Sequence, residues 1–493
     1  MLLSFNDMNI FKRPMLISAI ACVVTAVISM YFFNFALFFA IVVIILFSFA
    51  VFKGKSKYIA VGLAFFIFAL SLFLEHQKIE VINKFDKEKV SGNFLVVSQP
   101  KEYDNFNSIT LKATDCGDLP KGSKYLVFDY SKTQLQQGDT LYAEIKISTI
   151  KQDDEYRLYD YGNSVYATAS AKVVKKLDKI NYFYKFADNI RNYIKSTITS
   201  VADGDTAGLL IALTTGDKSI LTDNFMDNVK TTGISHVIVI SGMHLSIIMS
   251  VIFLLLDKLF YNKYIRSLAS ILTVLIISAV CGFTMSITRA GVMFIIASLA
   301  PVFNRENDLL NSLFTAITSV LILTPFAIFN ISFQLSILAT LAIVWVLPFY
   351  IQIFTERFNV NSKFIKTVLN VIFGSLFAAV FTMPVTIKTF GYVSVVSPIT
   401  NLLITYPVTV VITFNVIALV LSVIPGFKLF SSVIFFITKI CASYIVFVVN
   451  QIANLPITVA ILSENALIFS VLLIAVIIAF MYVYNYKLKK EKK

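Results

Sequence analysis

Apolar and polar residues are distributed very unevenly along the chain. Long uncharged stretches fall near 14–34, 35–52 and 58–75, and again near 233–256, 267–284, 289–304, 309–328, 333–352, 367–388, 396–424, 429–452 and 466–486. A helix needs about 20 mostly apolar residues to cross a bilayer, so these runs predict a polytopic α-helical membrane protein with about twelve spans. Lys12 and Arg13 before the first run give it the look of a signal peptide. With no small-residue cleavage site and two further runs directly behind it, it is expected to be an anchor.

Between the third and fourth runs the pattern changes period. Alternating or β-rich segments occur at about 91–98, 106–114, 123–130, 139–148 and 163–172. In 141–147 the alternation puts Ala143, Ile145 and Ile147 on one face and Glu144 and Lys146 on the other. Gly92, Gly117, Gly122, Gly138 and Gly162 stand at or between these segments, where turns need them. Five short strands fit a small OB-like β-barrel, with a Greek-key sandwich as the other solution. Residues 181–200 are amphipathic in helical period and would lead the chain back to the bilayer. The predicted organisation is therefore 1–75, N-terminal spans; 76–180, β-domain; 181–232, amphipathic connecting helices; 233–486, a second membrane domain of about nine spans; and 487–493, a basic tail.

Composition supports this. Of the 493 residues 57% are hydrophobic and only 14% charged, and mean hydropathy is +0.79. A soluble protein carries about 25% charged residues. The net charge of +13 could suggest nucleic acid, but its placement explains it. Lys12/Arg13, Lys53/Lys55/Lys57, Lys258/Lys263/Arg266, Arg305, Arg357/Lys363/Lys366, Lys428 and the tail Lys487–Lys493 all fall on one side of the predicted spans. The positive-inside rule makes that side cytoplasmic, with both termini inside and the β-domain outside. One local excess remains outside, at Lys172, Lys175, Lys176, Lys179, Lys185, Arg191 and Lys195.

Candidate chemistry is concentrated between Thr214 and His244. Gly216, Asp217, Thr232, Gly233, His236, Ser241, Gly242 and His244 lie here, in or beside what hydropathy reads as a membrane helix. Polar groups at that depth must pair or line a wet cavity, so the segment reads as a polar strip on a pore or gate, or else as helix–helix contact. Arg289 opens another span, with Gln334 and Ser336 in a third; a guanidinium suits phosphate, a carboxylate or snorkelling to the interface. Pro384 and Pro407 interrupt apolar runs, as in the broken helices of transporters. Ser241 and His244 have no acid nearby in sequence to complete a triad. The three histidines and four scattered cysteines offer no metal spacing, and no P-loop GxxxxGK[ST] occurs. No cofactor or metal is expected.

The order of motifs resembles the ComEC competence-protein family. It is carried by Ala212-Leu213-Thr214-Thr215-Gly216-Asp217-Lys218, Thr232-Gly233-Ile234-Ser235-His236 and Ile240-Ser241-Gly242-Met243-His244. Thr288-Arg289-Ala290 with Met293, Asn307-Asp308, Pro325, Ser332 to Ser336, Met383-Pro384, and Pro398 with Asn401 and Pro407 follow in order, and Asp153 to Tyr161 fits the family's outer domain. The resemblance implies an inner-membrane channel that passes one DNA strand into the cytoplasm during natural transformation. It makes His236, Ser241, Gly242, His244, Arg289 and Asn401 candidates for the conducting path, and the lysine-rich segment a guide for the strand. Many members continue into a metallo-β-lactamase-like domain. No HxHxDH motif occurs in these residues, so no enzymatic activity is expected, and a surface DNA receptor, a separate nuclease and a cytoplasmic ATP-driven motor are implied as partners. Single-stranded DNA and membrane lipid are the direct ligands, and a homo-oligomer is compatible with the sequence. A secondary transporter or flippase for another substrate is the alternative.

Overall fold

The computed structural model describes residues 13–52, 59–103, 105–131, 135–151, 157–456, 458–461 and 464–491. Lys12, Lys53, Lys55, Lys57, Asp153, Lys492 and Lys493 lie outside them. The chain divides into two compact units, one of residues 13–192 and 313–333, the other mainly of residues 193–312 and 334–493.

The first unit begins with three apolar helices, α1 (Pro14–Tyr31), α2 (Phe33–Phe52) and α3 (Ile59–Asn83). A β-domain follows, made of β1 (Lys89–Val96), the two-residue β2 (Lys101–Glu102), β3 (Asn107–Asp115), β4 (Lys124–Asp129), β5 (Asp139–Thr149) and β6 (Val165–Ile180). The pairings run β1-β3-β4-β6-β5 and return to β1. That circuit closes a five-stranded barrel of the expected OB-like type. All pairs are antiparallel except β4 with β6. The expected alternation holds on β5, where Leu141, Ala143, Ile145 and Ile147 are fully buried. Strand β1 pairs on both edges, with β3 and β5. A register shift occurs at Asn93/Phe94, beside Gly92, where an added Cβ would lie 2.6 Å from the Cα of Cys116. Only glycine allows that approach.

A short helix, α4 (Arg157–Gly162), links β5 to β6 and is gripped by residues far along the chain. Tyr161 packs on Phe326, Asn330 Nδ2 donates to Asn163 Oδ1 at 2.8 Å, and a Cβ on Gly162 would meet the Asn330 nitrogen at 2.6 Å. Strand β6 runs eight residues past its predicted end at 172, because β5 continues to pair with it as far as Ile180. Helix α5 (Tyr182–Thr199) then leaves the barrel.

The second unit contains α6 (Gly204–Thr215), α7 (Asp223–Thr231), the single turn α8 (Ser235–Ile238), α9 (Gly242–Leu259), α10 (Lys263–Val280) and α11 (Met285–Leu299). After α12 (Leu309–Leu323) come α13 (Ile331–Leu341), a π-turn at Ala342–Val346 and α14 (Leu347–Arg357). The chain ends with α15 (Lys363–Phe390), β7 (Tyr392–Ser394), α16 (Ser397–Val423), α17 (Lys428–Ala453), β8 (Val459–Ile461) and α18 (Glu464–Glu491). Strands β7 and β8 form an antiparallel pair.

Among the described residues nine helices are long and apolar enough to cross a membrane, against about twelve predicted. The other three runs correspond to the 15-residue helices Met285–Leu299 and Leu309–Leu323 and to the apolar stretch Phe33–Ile44 within the 20-residue α2. At 1.5 Å per residue a 15-residue helix reaches only about 22 Å, short of a hydrocarbon layer of about 30 Å. Three other expectations need correcting. The run at 233–256 is not one helix, since it breaks between Ile238 and Gly242. Helices α15 and α16 are not broken at proline and run straight through Pro384 and Pro407. Finally, α6 is not amphipathic, because every residue from Ala207 to Thr215 is buried. There Asn415 Nδ2 of α16 donates to Thr214 Oγ1 at 2.7 Å.

Candidate functional site

The break before α9 creates the site. Val239 and Ser241 are both extended, so the chain leaves α8 and restarts as α9 at Gly242. His244 caps the new helix. Its Nδ1 accepts from the Ser241 backbone N–H at 3.1 Å and lies 3.0 Å from Ser241 Oγ. This is the role that Glu or Gln plays in a capping box. With Nδ1 accepting, the neutral ring carries its proton on Nε2, an atom that is buried and unpaired among the described residues. Ser241 and His244 are thus joined, and among the described residues no carboxylate is hydrogen-bonded to the imidazole.

Arg289 lies on α11, against the first residue of α9. Its Nη2 would be 2.8 Å from a Cβ built on Gly242, so the glycine gives the guanidinium its room. Arg289 is only 5% exposed. Nε donates to Ser336 Oγ on α13 at 2.9 Å, and Nη1 to the Met293 sulfur at 3.2 Å. Ser336 Oγ is in turn 3.0 Å from Ser286 Oγ. Ser241, Gly242, His244, Arg289 and Ser336 therefore form one polar cluster at the N-terminal ends of α9, α11 and α13. Ser286 belongs to it too. The sequence reading missed Ser286, whose only signal is its position one helical turn before Arg289.

A second cluster gathers Thr232, Gly233 and Asn401. Gly233 adopts a left-handed φ of 74°, and a Cβ there would strike Ser394 and Ser397 at 2.6 and 2.7 Å. Ser394 Oγ donates to the Thr231 carbonyl at 2.8 Å. Asn401 is buried and donates to Ser375 Oγ at 2.8 Å and Ser397 Oγ at 3.3 Å, while Thr232 Oγ1 donates to the Asn228 carbonyl. Asn401 thus stabilises a junction between α15 and α16. His236 is exposed on the single turn α8, whose Val237 and Ile238 are buried, and does not share a helix face with Ile240 as a continuous helix would require. Gln334 lies in the first turn of α13, half-buried.

Gly216 and Asp217 stand apart from both. Gly216 is the left-handed C-cap of α6, and Asp217 Oδ2 accepts from Lys195 Nζ at 3.2 Å. Burial pushes the Asp217 carboxyl up, but hydrogen bonds from Ser219 and the Lys195 ammonium outweigh it and hold the group below its ordinary pKa.

The lysine-rich guide is not one stripe. Lys172, Lys175, Lys176 and Lys179 are on strand β6, where the neighbours Lys175 and Lys176 face opposite ways. Lys176 is paired with Asp139 at 2.8 Å. Arg191 is buried on α5, held by Gln137 Oε1 and Asp188, and Lys195 belongs to Asp217. Lys175 and Lys185 are exposed. Among the described residues no group of three or more His, Cys, Asp or Glu side chains could hold a metal ion.

A family model described as "Competence protein" matches residues 213–487, the stretch that contains both polar clusters. The chain is similar to ComE operon protein 3 of Bacillus subtilis (strain 168), with 20% identity over 256 residues, 52% of this chain and 32% of that protein. The match thus spans about a third of the relative's length. No solved structure matches. From Leu213 to Tyr486 and Lys487, through α9, α11, α13 and α16, the chain belongs to the competence-protein family.

Proposed function

We propose that this multi-pass membrane protein conducts single-stranded DNA across the inner membrane into the cytoplasm during natural transformation, with both termini inside and the barrel outside. The observation that carries the reading is the cluster around Arg289. A chain of the competence family holds a guanidinium, two serines and an imidazole together among apolar helices, and the guanidinium has no carboxylate partner among the described residues. A strand bearing one negative charge per nucleotide cannot enter hydrocarbon and needs a polar, preferably cationic conduit. Intramembrane charge of this kind marks a substrate path by default.

In this reading Ser241, Gly242, His244 and Arg289 line the path. His236 and Asn401 flank it, and the left-handed turn at Gly233 lets the preceding segment fold back. Ser336 positions Arg289, Thr232 and Gln334 support neighbouring helix ends, and Gly216 and Asp217 close α6 away from the path. Lys175 and Lys185 remain free to meet the strand outside. Degradation of the second strand and ATP-driven pulling belong to other proteins, as does capture at the cell surface. Purified protein is therefore expected to show no manganese-dependent DNA degradation.

The test is deletion of the gene in a cell that binds DNA. Surface-bound DNA should persist while nuclease-protected, internalised DNA disappears. Normal internalisation in the deletion strain would sink the proposal, and uptake of a small solute that depends on the gene would favour a transporter instead.

A further inference from the structure

Burying a guanidinium costs several kcal/mol unless an anion or a full set of acceptors replaces its water. Arg289 has neither among the described residues. Its acceptors are one hydroxyl and one thioether, both uncharged. Nη2 faces Gly242 instead, at the end of α9 where the Gly242 and Met243 amides lie outside the Ser241–His244 capping box and carry the positive pole of an 18-residue helix. Two positive groups have been placed side by side in a region of low dielectric, where their repulsion is strong. Such an arrangement is stable when an anion sits against both. Glycine at 242 is what lets the guanidinium reach this end of the helix.

We propose that Arg289 and the amide end of α9 form a seat for one phosphodiester group. This rests on the DNA-conducting reading and names the ligand of that site. A phosphodiester offers two free oxygens and a single negative charge. One oxygen suits the guanidinium fork and the other the first-turn amides of α9. A single seat of one charge holds a phosphate long enough to replace its hydration and releases it as the next arrives, which conduction requires. A lipid headgroup phosphate presents the same chemistry, so the test must separate the two.

Full-length protein in nanodiscs would be titrated with a fluorescent oligothymidylate and with its uncharged methylphosphonate counterpart. Arg289→Gln should weaken phosphodiester binding about tenfold and leave methylphosphonate binding unchanged, with Arg289→Lys intermediate because it keeps the charge without the fork. Unchanged oligothymidylate binding in Arg289→Gln overturns the proposal. So does an equal loss for both oligonucleotides, which would make the residue purely structural. If Arg289→Gln instead strips co-purified phosphatidylglycerol, read by mass spectrometry, while oligothymidylate affinity is kept, the seat belongs to lipid and the proposal fails. Should Arg289→Gln not fold, Arg289→Lys decides on the same readouts. Arg289-dependent binding in a protein whose deletion leaves DNA internalisation intact would refute the channel and keep the seat.

Discussion

Arg289 and Gly242 occupy each other's space: the Nη2 of one lies 2.8 Å from where a Cβ of the other would stand. A second close neighbour, the Cβ of Ala290 at 3.2 Å, leaves a side chain at 242 no way round. Gly242→Ala must therefore displace the guanidinium or α9. It should lower transformation at least about tenfold while the protein stays inserted and abundant on immunoblots of membranes. Arg289→Ala should abolish transformation under the same control. Normal transformation in both variants would remove this pair from the path.

His244 has a separable structural duty. Losing the cap of α9 should cost about 1 kcal/mol, so His244→Leu should reduce thermal stability in detergent. His244→Gln can still accept from the Ser241 N–H, as Gln does in a capping box, and should restore that stability. It should not restore transformation if the imidazole lines the path. Full rescue of both by glutamine would reduce His244 to a cap.

The Lys195–Asp217 pair fixes a pH dependence. The folded Asp217 carboxyl lies below its ordinary pKa of 3.8. Its contribution to stability is complete above that value and is lost as pH falls through the lower, folded one. The stability difference between wild type and Asp217→Asn, read by thermal unfolding, should be constant from about pH 8 to about pH 5. It should shrink only in stronger acid. A difference that disappears near neutrality would contradict the pairing.

Gly92→Ala tests barrel closure. Its Cβ would collide with the Cα of Cys116, and overpacking of this kind costs about 1–3 kcal/mol. The full-length variant should melt earlier and be more readily proteolysed between residues 89 and 180. Cys116→Ala should not fully relieve it, since the Cα and Cβ of residue 116, at 2.6 and 2.7 Å, remain.

The barrel was legible because alternation is local: each strand carries its own buried face, as Leu141 to Ile147 do. The extension of β6 to Ile180 was not legible, since it depends on a partner strand. Hydropathy also misread Val237 to Ile240. Four consecutive β-branched residues look like an unbroken span, yet the helix ends there because Ser241 and His244 begin another. Pro384 and Pro407 misled in the opposite direction. They are breaks in water but not in these helices. Within the site, the sequence supplied Ser241, Gly242, His244 and Arg289 as types. That Arg289 touches Gly242 comes from the meeting of α9 and α11, which no local pattern encodes. The pairing of Thr214 with Asn415 went unread for the same reason.

The grip on α4 sets a schedule for synthesis. Asn163 waits for Asn330, 167 residues later, and Tyr161 for Phe326. At 5–20 residues per second a ribosome needs roughly 10–30 s to deliver that partner. Throughout that interval the barrel's crossover has only a provisional hold, so the barrel is completed after several later helices have been made. Its vulnerable period is thus timed by the elongation rate, and a translational pause between codons 163 and 330 would lengthen it.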